Sequence, residues 1–162
     1  MFLFLAIPFI TLMLLLSQSL AMSIVVEGAD LRARTLANAM LTARIYADRS
    51  VGPTQSGVLD LNDVLPAHHR HIATDLGVRA LADSGTVYLY LDADVPGLMH
   101  HLAEMTRHSV HVGRIMAGTG NSRVLVPSAE ACKSLGVTGN ACQTPAAAEL
   151  TIGAVALRSG NT

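Results

Sequence analysis

The sequence predicts an α+β domain carried behind an N-terminal apolar helix. Three observations lead there. Residues 1–26 contain no Asp, Glu, Lys, Arg or His, and the first ionisable side chain is Glu27. An amphipathic segment follows at helical spacing, and then a strictly alternating run, Thr86 to Asp92, opens a series of strands interrupted by one helix. Strands clustered around one helix favour a largely antiparallel sheet. The whole chain has 162 residues, 51% hydrophobic and only 14% charged, against about 25% charged in an average domain. That excess is concentrated in the first block, and the remainder is long enough for one small domain. The formal net charge of −1 leaves no electrostatic footprint for nucleic acid. Three Phe and three Tyr supply no stacking platform for single strands.

Residues 1–26 read as a transmembrane anchor. As a helix they extend about 39 Å, enough to cross a hydrocarbon core of about 30 Å with some tilt. A cleaved signal peptide is the alternative, since Ser19-Leu20-Ala21 offers a small-x-small site. The anchor is preferred because no basic residue precedes the apolar run, which resumes at Met22, Ile24, Val25 and Val26. Orientation is contested. Arg32, Arg34 and Arg44 after the span favour a cytoplasmic C-terminal part. Cys132 and Cys142, ten residues apart in a loop-like stretch, favour an oxidising compartment and a disulfide; two free thiols in a cytosolic protein are the alternative.

Residues 27–49 form the second segment, an amphipathic stem helix. Ala33, Leu36, Met40, Ala43 and Ala47 step by three and four and make one stripe. Ser50-Val51-Gly52-Pro53 stops it. The stripe is read first as packing on the chain's own domain and second as a helix–helix contact with another protein. The third segment is the α+β domain, residues 57–158. Gly57 to Leu61 alternates briefly, Val78 to Leu81 is a strand, and Asp83-Ser84-Gly85 is a turn. In the strand that follows, Val87, Leu89 and Leu91 share one face and Tyr88 and Tyr90 the other. Asp94 is a candidate N-cap for a helix over 96–108. Val110 to Met116, Arg123 to Val126 and Leu150 to Leu157 complete the strands, with the cysteine loop before the last.

Catalytic chemistry finds little support. His100, Glu104 and His108 lie on one helical face, but the outer pair is about 12 Å apart along the axis, too far to share an ion. No H-E-x-x-H and no G-x-S-x-G occurs. Ser109 lies near His108 and His111 in sequence, which does not make a triad. Gly113, Gly118 and Gly120 lack the context of a phosphate loop. The histidines are read as exposed, with Glu104 paired to one of them. No catalytic, cofactor or metal residue is assigned. An anchor, stem and head also suggest a type IV pilin, but no Glu precedes Glu27, against the Glu expected at the fifth mature position.

Several motifs in order carry a resemblance. Ala37-Asn38-Ala39-Met40-Leu41 leads to Arg44-Ile45-Tyr46; Gly57-Val58 is followed by Leu61 and Leu65-Pro66; Gly85 to Tyr90 forms a G-x-V-Y run; Leu98 and Leu102 precede Ser109 to Gly113; and Ile152 to Ala156 closes the series. Over residues 1–158 the chain resembles the plasmid-type PilM family of thin (type IVb) pilus biogenesis. It departs from that family in lacking a proline in the closing segment, in placing histidines after Leu65-Pro66, and in its cysteine pair.

The resemblance implies a non-enzymatic, bitopic inner-membrane component of a thin-pilus or conjugation apparatus. Its domain would face the periplasm and act in pilin transport or at the pilus base, with no cofactor. Its partners would be other pilus-assembly proteins, the inner membrane and further copies of itself, with no nucleic acid. A periplasmic domain agrees with the cysteines and overrides the weak arginine bias. A secreted or periplasmic pilin-like adaptor with a cleaved signal is the alternative, and a histidine-based metal-binding protein a second. Candidate contact residues are Ala33, Leu36, Met40 and Ala43 on the stem and Tyr88 and Tyr90 on the strand.

Overall fold

Helix α1 runs from Leu3 to Ser50 and ends where Val51-Gly52-Pro53 was expected to stop it. The computed structural model describes residues 3–137 and 139–159, with the backbone alone for 3–11, 16, 19–26 and 139–140. The chain divides into two units, residues 1–32 and 33–162. In the first unit Leu12, Met13, Leu14 and Leu15 are all exposed. Among the described residues no helix is long and apolar enough to cross a membrane. Most side chains of the span expected over 1–26 lie outside the described residues.

The second unit is built on one seven-stranded sheet: β1 (Gly57–Leu59), β2 (Arg79–Asp83), β3 (Thr86–Leu91), β4 (Val112–Ala117), β5 (Arg123–Pro127), β6 (Thr144–Ala146) and β7 (Val155–Arg158). The spatial order is β1-β2-β3-β7-β4-β5-β6, and every neighbouring pair is antiparallel. The α+β class and the antiparallel sheet are thus as expected. Short helices α2 (Leu61–Val64), α3 (His71–Thr74) and α4 (Leu98–Met105) precede β4, and α5 (Ala129–Ser134) follows β5.

Local chemistry explains most boundaries. Ser84 and Gly85 link β2 to β3 with φ of 49° and 79°, the positive pair of a type I′ hairpin. A Cβ on Gly85 would sit 2.6 Å from the Pro53 carbonyl oxygen, so the turn needs glycine for space as well as for φ. Asp60 caps α2 by accepting from the Asn62 N–H. Ser128 caps α5 by accepting from the Ala131 N–H.

Several expectations need correction. Asp94 does not cap α4. Gly97, at φ 82°, sets the helix start at Leu98, and Asp94 instead pairs with Arg114 on β4 at 3.0 Å. Arg107 and His108 take positive φ, so the helix stops at Met105 and not at 108. The cysteine stretch is largely helical, containing α5 and a 3-10 turn over Gly139–Cys142. The last strand starts at Val155; Ala147 and Leu150 upstream cover one face, and Gly153 and Ala154 bond Ile115 of β4 just before the ladder begins. Strand β6 had no sequence signal, being three residues long with a central proline.

The central strands of the sheet are buried on both faces. On the first, Ala80, Val87, Leu89, Leu91, Val112, Val155 and Leu157 pack with the α1 stripe and with Leu98 and Leu102 of α4. Small residues on α1 allow close approach of its backbone. On the second face Leu81, Tyr88, Tyr90, Ile115, Leu125 and Ala156 meet Ala147, Leu150 and Ala154. The Tyr88 hydroxyl donates to the Pro145 carbonyl at 3.3 Å, although three strands separate β3 from β6. A flat sheet would hold those strands about 19 Å apart. The sheet therefore curls toward its second face.

Strand β7 closes this curl. Val155, Ala156 and Leu157 are fully buried between β3 and β4. Just beyond, Ser159, 4% exposed, donates its N–H to the Val87 carbonyl at 2.7 Å and accepts the Val87 N–H on its Oγ at 2.8 Å. Ser159→Ala strands a buried N–H, and a loss of about 1–3 kcal/mol in a denaturant melt is expected. The Cys132–Cys142 disulfide is formed, with its Cα atoms 5.7 Å apart. Reduction, or Cys142→Ser, removes on the order of 3 kcal/mol in the chain-entropy model, readable as a lower midpoint with dithiothreitol.

Candidate interaction surface

All six residues expected to touch a partner are committed inside the chain. Ala33, Leu36, Met40 and Ala43 form the α1 face that covers the sheet. The first reading of that stripe, packing on its own domain, describes where these side chains lie. Tyr88 and Tyr90, 3% and 7% exposed, sit under the 147–154 segment on the second face. Burial pushes the Tyr88 phenol above its ordinary value, against the opposing charge of Arg158. Their alternation with Val87, Leu89 and Leu91 is as expected; the cover over the Tyr face is what periodicity could not reveal.

The histidines divide into two groups. His68, His69 and His71 lie on the 3-10 turn Ala67–His69 and on α3, with the His69 ring 4.2 Å from that of His68 and 5.8 Å from Tyr46 on α1. Partial burial, then the charges of His68 and His71, lower the His69 pKa. On α4, Glu104 sits 3.3 Å from His100 and 3.8 Å from His101, while His108 pairs with Glu130 at 3.3 Å. Ser109 Oγ accepts from the His111 N–H, a turn role. Burial, then Arg44 and Arg158, lower the His111 pKa. Among the described residues no three His, Cys, Asp or Glu side chains are arranged to hold a metal ion.

The open surface is at one edge of the sheet. The two edge strands differ in kind. β6 carries Pro145 at its centre and is tied just upstream by the disulfide at Cys142. β1 has neither proline nor charge, and Val58 at its centre is 80% exposed. Gln55 and Ser56 hold the start of β1 against the hairpin turn, the Gln55 carbonyl accepting from Gly85 N–H and Ser56 Oγ from Ser84 N–H. Where β1 ends and β2 begins, a groove of about 370 Å³ opens, bordered by Leu59, Leu61, Ala73, Val78 and Tyr90. Asp60 and Arg79 stand at its mouth. Arg79 is engaged by Asp92 at 2.9 Å, whereas among the described residues the Asp60 carboxylate bonds within its own turn, to Asn62. The sequence signal for this edge was the short alternation over Gly57 to Leu61; its exposure was not legible, because the groove is assembled from four separated segments.

A pH dependence follows from the histidines. Both lowered groups resist protonation in the fold and accept it in the unfolded chain. Their contribution is present above the ordinary value of 6.5 and is lost as pH falls below it. The thermal midpoint should fall on acidification from neutral pH, and the double variant His69→Gln, His111→Gln should lose part of that slope.

Comparison with known proteins gives one match. No curated protein and no solved structure is similar to the chain. A family model, PilM, matches residues 10–137, which takes in α1 from its third turn, the β1 edge and its groove, and the sheet through β5 and α5. That stretch covers more than half of the sequence, and the chain belongs to the PilM family.

Proposed function

We propose that this protein is a non-enzymatic inner-membrane component of a type IVb (thin) pilus assembly or conjugation apparatus. It works through protein–protein contacts in pilin transport or at the pilus base. Membership of the PilM family carries this reading, since it supports a part in pilus biogenesis among other assembly proteins.

The finer points rest on separate observations. Residues 1–26 serve as a single-pass anchor, a reading supported by a block without charge and by the exposed apolar run Leu12 to Leu15. The stem over 27–49 and the domain over 57–158 lie on the periplasmic side. The Cys132–Cys142 bond supports that side, because disulfides persist in oxidising compartments. The arginines after the anchor oppose it weakly. Contacts with partners fall on the β1 edge, where the 80% exposed Val58 borders an open groove. Neither the stem stripe nor the tyrosines serve that role, as both are used within the domain.

Alkaline phosphatase fused after Thr162 should be active in cells; an inactive fusion of normal abundance overturns the periplasmic placement. Sequencing of the mature N-terminus checks the anchor, since a chain starting at Met22 would replace it with a cleaved signal.

A further inference from the structure

We infer that β1 is a docking edge for an extended segment of another pilus-assembly protein, which adds as an eighth strand and places an apolar side chain in the adjoining groove. The inference rests on the pilus reading above and names the chemistry of the partner. An edge strand offers a row of main-chain donors and acceptors, and the ligand that matches such a row is another extended backbone. Natural sheets protect their edges with proline, charge or covering structure. Both edges are short, at three residues each; β6 adds Pro145 at its centre, whereas β1 carries neither proline nor charge. Val58, 80% exposed, stands at the centre of β1, and the groove beside it is walled by Leu59, Leu61 and Ala73. Main-chain pairing supplies affinity in this mode, and a pocket for alternate side chains supplies specificity.

The charge at the mouth selects the partner further. Arg79 is held by Asp92, while Asp60 meets no cation among the described residues, and exposed Asp63 follows on α2. A strand carrying a lysine or arginine beside its apolar residue is complementary to this mouth. A second copy pairing antiparallel through its own β1 is not, since it sets Ser56 opposite Asp60 and brings no cation to this mouth.

The test uses the full chain in cells that assemble the pilus. With the photoreactive p-benzoylphenylalanine in place of Val58, irradiation should give one heteromeric adduct. The crosslinked peptide of the partner should contain an apolar residue next to lysine or arginine. Val58→Lys keeps the backbone and an exposed side chain, so the thermal midpoint should stay unchanged while pilus number falls about tenfold or more, a loss of at least about 1.4 kcal/mol in docking. An adduct of twice the chain's own mass, no adduct at all, or wild-type piliation by folded Val58→Lys overturns the inference. Deleting the gene separates the two claims. If deletion abolishes pili and Val58→Lys does not, the edge assignment fails alone. If deletion leaves pili intact, the pilus reading fails, and the adduct decides the edge by itself.

Discussion

β7 contributes four residues, and through them the sheet becomes one sheet. Strands β1, β2 and β3 pair with one another, and β4, β5 and β6 do the same, and β7 is the strand that pairs with both sets in the ladder. The seam is apolar at its centre, and its one buried unpaired polar atom among the described residues is Arg158 Nε at its end. Val155, Ala156 and Leu157 are fully buried, and the Ser159 hydroxyl and N–H pair with both backbone groups of Val87. The side chains of β7 alternate between the faces, Val155 and Leu157 toward α1 and Ala156 toward the tyrosines. Both cores therefore run through this strand, and neither is continuous without it. Ala156 lies opposite Gly113 on β4, whose other side needs glycine because a Cβ there would sit 2.5 Å from the Val126 carbonyl oxygen of β5.

The cover on each face follows from the kind of residue it meets. The first face presents aliphatic side chains, and α1 lays alanines, Leu36 and Met40 over them. Each large aliphatic group buried in this way is worth about 1.5–3 kcal/mol against exposure. The second face presents two tyrosines, whose length would leave gaps beneath a helix. A non-helical segment, Ala147 to Ala154, fits around them, and Tyr88 reaches Pro145 with its hydroxyl. Ion pairs at the rim hold this segment in place: Arg114 bridges Asp94 and the Gly153 carbonyl, and Asp92 accepts from Thr151 while pairing with Arg79. They are partly exposed, and pairs of that kind add at most about 1 kcal/mol each. Their use is positional. Asp92 in particular pairs with Arg79 where it lines the β1 groove, and so leaves Asp60 there without that cation as its partner.

What could be read in the sequence was local in origin. The stripe from Ala33 to Ala47, the stop after Ser50, the alternation from Thr86 to Leu91 and the Ser84-Gly85 turn all rest on periodicity or on single-residue conformational needs within a few positions. The same holds for the cysteine pair. What could not be read depends on partners distant in the chain. Nothing near Val155 tells that it lies between β3 and β4. Nothing near Tyr88 tells that residues 147–154 cover it. Asp94 looked like a cap because its distant partner Arg114 was unseen, and β6 was hidden by its proline. The docking edge was half legible: the alternation at Gly57 to Leu61 marked a strand, whereas its edge position is a property of the topology.

The central place of β7 also sets an order on biosynthesis. Every strand it joins precedes it in the chain, so β1–β3 and β4–β6 are made, and each can form its local hairpins, before the seam exists. During that interval β3 and β4 are additional open edges, with aliphatic and tyrosine faces uncovered. Pairings of such long sequence separation form slowly, and unpaired edges of this kind are where chains aggregate. The nascent protein is thus most open to edge-to-edge aggregation in the interval before β7 is made, a hazard set by chain order and not by the stability of the finished fold.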